Sequence, residues 1–116
     1  MKYMLLIYNS AAAFEAMTED EKSAVFGQVD VIMKELQESG EWVAGEGLAD
    51  AARAKTVRVR DGAAVVTDGP YLEAKEQFAG YLTVDVASEQ RAVEIAARWP
   101  DACRWGMEVR QVVGGG

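Results

Sequence analysis

The sequence predicts an α+β domain of ferredoxin-like βαββαβ order with one inserted β-hairpin, and three observations carry that reading. The first is Lys2 to Tyr8, whose alternating sets Tyr3, Leu5, Ile7 and Met4, Leu6, Tyr8 are both apolar, as in a strand buried on both faces. The second is a pair of capped amphipathic helices, one behind Thr18 and one behind Ser88. The third is Asp61-Gly62, the pair a two-residue type I′ turn demands, set between two runs of strand formers. With that hairpin set aside, the order is strand, helix, strand, strand, helix, strand. Two helices cover one sheet face. Because the first strand is apolar on both sides, the other face needs a cover too, and a second copy of the same sheet supplies it. A homodimer with sheets packed face to face is therefore expected.

Each element follows from its residues. Asn9 to Met17 reads as a loop, after which Thr18 serves as N-cap and Glu21 completes a capping box. Val25, Val29, Ile32, Met33 and Leu36 then recur every three or four residues, with Lys22, Asp30, Lys34 and Glu38 on the opposite face. Gly40 stands where a left-handed C-cap ends such a helix. Glu41 to Leu48 is a second strand in which Gly45 and Gly47 mark a bulge or a close backbone approach. The hairpin arms are Thr56 to Arg60 and Ala63 to Thr67, with Arg58 and Arg60 on the face opposite Val57 and Val59. Gly80 to Val86 points Leu82, Val84 and Val86 one way. Ser88 caps a helix from Glu89 to about Trp99, lined by Ala92, Val93 and Ala96 and stopped by Pro100. Arg104 to Val113 is the last strand. Residues 1–113 are expected to form a single domain, and the glycines at 114–116 a flexible tail.

Composition narrows the function. The chain has 116 residues, half of them hydrophobic, enough for one core without disulfides or a structural metal. Nineteen Asp and Glu against twelve Lys and Arg leave a formal charge of −7, which disfavours nucleic acid and anionic membrane surfaces as partners. There is no histidine, which removes Ser-His-Asp and Cys-His dyads and the commonest metal ligand. Neither a metal nor another cofactor is expected. The lone Cys103 has no base or resolving cysteine beside it and reads as a spectator. The apolar run at the start is shorter than a signal sequence needs, and no stretch approaches the ~20 residues of a membrane span, so a cytoplasmic protein is expected.

The densest polar stretch is Asp68-Gly69-Pro70-Tyr71-Leu72-Glu73-Ala74-Lys75-Glu76-Gln77, followed by Gly80-Tyr81. Gly69 adopts backbone angles closed to other residues, Pro70 fixes its own φ, and Asp68 accepts hydrogen bonds from nearby amides, so the segment is stiff. If Tyr71 to Gln77 is extended, then Tyr71, Glu73, Lys75 and Gln77 project to one side as a phenol, a carboxylate, an amine and an amide. Asp68, Glu73 and Lys75 are on this reading the catalytic acid–base candidates, and Tyr71 and Gln77 the ligand-orienting ones. On the last strand Glu108 and Arg110 share a face, and Arg110 is the candidate to hold a ligand carboxylate. The same residues also suit a turn followed by solvated surface, with Arg110 at an exposed edge or in the dimer interface.

This run, together with Lys2-Tyr3-Met4-Leu5-Leu6-Ile7-Tyr8, Gly45-Glu46-Gly47-Leu48, Thr56-Val57-Arg58 and Glu108-Val109-Arg110, resembles the DGPF group of the YCII-related superfamily. The resemblance implies a small bacterial protein of the dimeric α+β barrel kind. Members of the group are often encoded beside extracytoplasmic-function sigma factors, and some relatives use a His-Asp pair, which a chain without histidine cannot reproduce. Gln111 also stands where the group's pattern has proline after Glu-Val-Arg. Two functions follow as expectations: binding of a small molecule in a cleft near Asp68 to Gln77, with acid–base catalysis that uses no histidine, or a non-catalytic regulatory role with a sigma-factor system.

Overall fold

The computed structural model describes residues 1–114. Its elements are β1 (Lys2–Asn9), α1 (Ala11–Glu15), α2 (Glu19–Ser39), β2 (Trp42–Gly47), β3 (Lys55–Arg60), β4 (Ala63–Asp68), β5 (Gln77–Asp85), α3 (Glu89–Arg98), α4 (Pro100–Arg104) and β6 (Met107–Gln111), with a 3-10 turn at Ala51–Arg53. The α+β class is as expected. Of the predicted tail, Gly114 ends a turn at φ 68, and 115–116 lie outside the described residues.

Four strands form one antiparallel sheet in the order β2-β5-β1-β6, and β3 and β4 form a separate two-stranded ribbon. The register sets Leu5 between Leu82 and Val109, and Tyr3 opposite Val84. Because side chains alternate along a strand, these residues share one face. Against it α2 lays Ile32 and Leu36, and α3 lays Ala92, Ile95 and Ala96. Leu5, Leu82, Val84, Ile32, Leu36 and Ile95 are sealed from solvent, each contributing about 1.5–3 kcal/mol by burial. Among the described residues no helix covers the opposite sheet face, with Met4, Leu6, Tyr8, Tyr81 and Thr83, and the molecule is only 18 Å thick along its shortest axis. That is one sheet and one layer of helices.

Local chemistry accounts for the boundaries. Thr18 Oγ1 accepts from Glu21 N and Glu21 Oε1 accepts from Thr18 N, both at 3.1 Å, the predicted capping box. Gly40 closes α2 at φ 80, and Asp61 and Gly62 turn the hairpin at φ 51 and 78. A bulge separates Trp42 from Ala44, and at Gly45 a Cβ would stand 2.9 Å from the Tyr81 carbonyl, so the strands close up there because the side chain is missing.

Several expectations are corrected. The loop at 9–17 contains α1, which Ser10 caps by accepting from Ala13 N at 3.2 Å; five residues are too few to show a helical period. Pro100 ends α3 and also opens α4 at its first position, where its missing N–H costs nothing. The last strand therefore starts at Met107 rather than Arg104. On α3 the buried side runs through Ala92, Ile95 and Ala96, whereas Val93 is half exposed. β5 begins at Gln77, three residues earlier than expected.

Candidate functional site

At one end of the sheet, β1 and β5 slip register between Ile7 and Tyr8, so that Ile7 faces Gly80 and Tyr8 faces Phe78. Ile7 points to the helix side and Tyr8 to the open side, and each lines a cavity of its own. The two cavities meet along a common edge made by Leu48 to Ala51 and by Gln77 and Phe78. Phe78 is tilted against Tyr8 with ring centroids 5.8 Å apart, and the Leu48 amide donates to the Ala79 carbonyl at 2.8 Å, which holds the edge in place.

The helix-side cavity has a volume of about 470 Å³ and mostly apolar walls, including Phe14 from α1, Val25, Phe26 and Val29 from α2, and Trp99 and Trp105 around α4. Phe14 and Phe26 meet edge to face at 5.8 Å, and the Lys22 ammonium stands 5.4 Å from the Phe14 ring. Among these apolar groups is Asp101, only 8% exposed. Asn9 at the end of β1 donates from Nδ2 to Asp101 Oδ2 at 3.1 Å. Burial lifts the Asp101 carboxyl above its ordinary pKa, against the opposing pull of the Asn9 hydrogen bond and the Arg104 charge. A carboxyl so placed can hold or release a proton nearer neutrality than a solvated one, and the Asn9 amide fixes its orientation. Glu15, Asp50 and Asp101 outnumber Arg104 on the walls, so the cavity suits a neutral or cationic occupant better than an anionic one.

The open-side cavity, about 600 Å³, runs beneath Pro70, Tyr71 and Leu72, with Tyr8, Arg53, Glu76 and Phe78 on its other sides. Tyr8 Oη donates to Glu108 Oε1 at 3.1 Å, and its pKa is raised first by burial and then by that carboxylate.

The row of polar side chains expected at 71–77 is not laid out as a strand. The chain bends at Tyr71-Leu72 and again at Lys75-Glu76, and pairing begins only at Gln77. Gln77 Nε2 donates to the Leu72 and Ala74 carbonyls, both at 2.9 Å, and so braces the loop from within. Gln77 lines both cavities. Tyr71 is exposed, with the Arg58 guanidinium 5.4 Å from its ring. Glu73 and Lys75 are exposed and line neither cavity. Asp68 is 84% exposed and pairs with Lys55 across the base of the hairpin. Arg110 lies on the open sheet face opposite Met4, remote in register from Asp68 to Gln77. Gly69 is left-handed at φ 102, as the loop requires.

Sequence reading missed Asp101. Its neighbour Pro100 looks like a helix stop, which makes 101 look like loop, and its partner Asn9 is 92 positions away. Among the described residues no group of three or more His, Cys, Asp or Glu could hold a metal ion, and no helix is long and apolar enough to cross a membrane.

Comparison with known proteins adds two findings. The family model of the YCII-related domain matches residues 1–114. An uncharacterized protein of Rhizobium meliloti (strain 1021) is 30% identical over 96 residues, covering 83% of this chain and 77% of its own.

Proposed function

The chain belongs to the YCII-related domain family, and from that premise we propose that it binds a small, largely apolar molecule in the helix-side cavity, with Asp101 as the acid–base group. The observation that carries this reading is a carboxyl 8% exposed in the wall of an apolar cavity of about 470 Å³ and oriented by Asn9. An apolar pocket with a few convergent polar groups, one of them with a shifted pKa, is the usual form of a small-molecule site. We assign the proton-handling role to Asp101 in place of Asp68, Glu73 and Lys75, which stand in solvent. The loop that follows Asp68 contributes a wall of the adjoining cavity through Pro70, Tyr71 and Leu72. A neutral or cationic ligand that donates a hydrogen bond to the carboxylate fits the charge of the walls.

The strand order β2-β5-β1-β6 supports a ferredoxin-like arrangement, and the uncovered apolar face supports a homodimer with the two sheets face to face. The exposed apolar surface also favours a second reading, an interaction role in a sigma-factor system; we give that surface to a second copy of the chain.

Trp99 and Trp105 line the cavity and report on its filling. A panel of small uncharged and amine-bearing aromatic and aliphatic compounds is titrated while tryptophan emission and melting temperature are followed. Binding by wild type is expected to be lost in Val29→Phe, which fills the cavity, and to lose its pH dependence in Asp101→Asn. A hit whose affinity is unchanged in both variants would place the ligand elsewhere.

A further inference from the structure

Among the elements of the described chain, the β3–β4 ribbon is the least integrated. Its register puts Val57, Val59, Ala64 and Val66 on one face and Thr56, Arg58, Arg60 and Val65 on the other. The valine face is bare: Val57, Val59 and Val66 are 60, 70 and 58% exposed. An isolated two-stranded ribbon is marginal in water, and it becomes stable when an apolar face is covered. The open end of this one is closed by bonds of the ribbon's own flanks, Gly69 N donating to the Ala54 carbonyl and Thr56 Oγ1 to the Gly69 carbonyl, both at 2.8 Å, and Arg58 stands 5.4 Å from the ring of Tyr71 in the loop that follows. The radius of gyration, 16.2 Å, exceeds the roughly 13 Å of a compact chain of this length.

We propose that the β3–β4 hairpin is a dimerisation arm whose valine face lies against a second copy of this chain. The proposal rests on the homodimer reading above and adds to it a second contact that the sheet face does not include. Three observations select a second copy as the occupant. Charge is one: residues 53–68 carry Arg53, Lys55, Arg58 and Arg60 against Asp61 and Asp68, whereas the rest of the chain has eight cations against seventeen carboxylates. Arg58 and Arg60 lie on the face away from the valines, so the charge does not form the valine contact itself; it suits the arm to an acidic partner, which a second copy of this chain is. Area is another. Six-residue strands make a ribbon about 20 Å long and about 10 Å wide, on the order of 200 Å² per face, against the ~800 Å² that each partner of a stable interface contributes. The arm is too small to hold a partner alone and is suited to extend the contact made by the open sheet face. Continuity is the third: Arg53, Ala54 and Pro70 at the base of the arm share one cavity with Tyr8, which belongs to the open sheet face. In a two-fold dimer each arm reaches the other copy, so the contact is made twice.

Sedimentation equilibrium over a micromolar concentration series tests this with four proteins: wild type, the double variant Val57→Asp with Val59→Asp, Val65→Asp on the arginine face, and Leu6→Asp on the sheet face. Wild type is expected at twice the chain mass. The double variant is expected to raise the dimer dissociation constant at least tenfold with an unchanged circular dichroism spectrum, because the arm lies outside the core, and Val65→Asp is expected to change it less than threefold. Amide exchange on wild type needs no variant to fold: the arm amides are expected to be protected in the dimer and to exchange faster on dilution to monomer. A dimer that the valine-face variant leaves intact, or arm amides that exchange freely within the dimer, would overturn the arm and leave the face-to-face reading standing. If instead Leu6→Asp leaves the dimer intact while the double variant dissociates it, the arm stands and the sheet-to-sheet contact falls. A wild-type monomer at these concentrations overturns both.

Discussion

Glu41, in the link between α2 and β2, receives Arg91 of α3 through two hydrogen bonds, from Nε to Oε2 and from Nη2 to Oε1, both 2.8 Å. Ser39 Oγ donates to Oε1 at the same distance. The fork is bidentate and joins elements 50 positions apart, and the Arg91 hydrogen bonds bring the Glu41 carboxyl down from 4.5 to about 2. One pKa unit corresponds to about 1.4 kcal/mol, so the shift caps the contribution at about 3.5 kcal/mol. Glu41 is 18% exposed and Arg91 36%, so solvent screens the pair, and a loss of about 1–2 kcal/mol is expected for Glu41→Gln at pH 7. For a chain of this size that lowers the melting temperature by about 5–10 °C. Because the folded-state pKa is depressed, the stabilisation is fully present above 4.5 and fades as the pH falls towards about 2. Urea unfolding of wild type and Glu41→Gln at pH 7 and at intervals down to pH 2.5 measures this, with Arg91→Met closing a double-mutant cycle. The two proteins should converge in stability at the acid end. A difference below about 0.5 kcal/mol at pH 7, or one that stays constant across the series, would refute the argument that the fork stabilises this junction.

Three other outcomes are expected. Asp101 carries the opposite sign from Glu41: its folded pKa is raised by burial, so its contribution is complete below 3.8 and is lost as the pH rises through the folded value. Asp101→Asn should therefore gain on wild type between pH 4 and 7 in urea midpoints, and a parallel pair of curves would count against a shifted carboxyl. Gly69→Val, which forces a branched side chain to φ 102, should cost about 1–3 kcal/mol, whereas Asp68→Ala, at an exposed pair, should stay within about 0.5 kcal/mol; calorimetry separates the two. Melting with chelator or with reductant should match melting without them, since the chain has no histidine and one cysteine, and a drop of many degrees in chelator would reveal a metal contribution.

Features with a short chemical range were legible from the residues. The Thr18–Glu21 box, the left-handed Gly40 and the Asp61-Gly62 turn depend on neighbours within four positions, and each appears where its residues stand. Lys2 to Tyr8 likewise forms a strand, as its run of strand formers predicts, whereas its pairing with β5 on one edge and β6 on the other is set by the tertiary arrangement. The candidate site was less legible. Asp68 to Gln77 is conspicuous in sequence because turn formers and charges are concentrated in it, yet concentration in sequence is not convergence in space: the loop bends, Gln77 braces it, and Glu73 and Lys75 end in solvent.

What the sequence determined by itself is the α+β class, the capped helices, the hairpin and the apolar faces, because periodicity, caps and turn chemistry are local. Only the tertiary structure decided that Asn9 meets Asp101 across 92 positions in an apolar cavity, and that the hairpin stands off the body with its valines bare. The physical reason is that burial belongs to the packed arrangement of several elements. A carboxylate in a short run after a proline has the same local chemistry whether helices close over it or leave it in water, and its pKa changes only when they close.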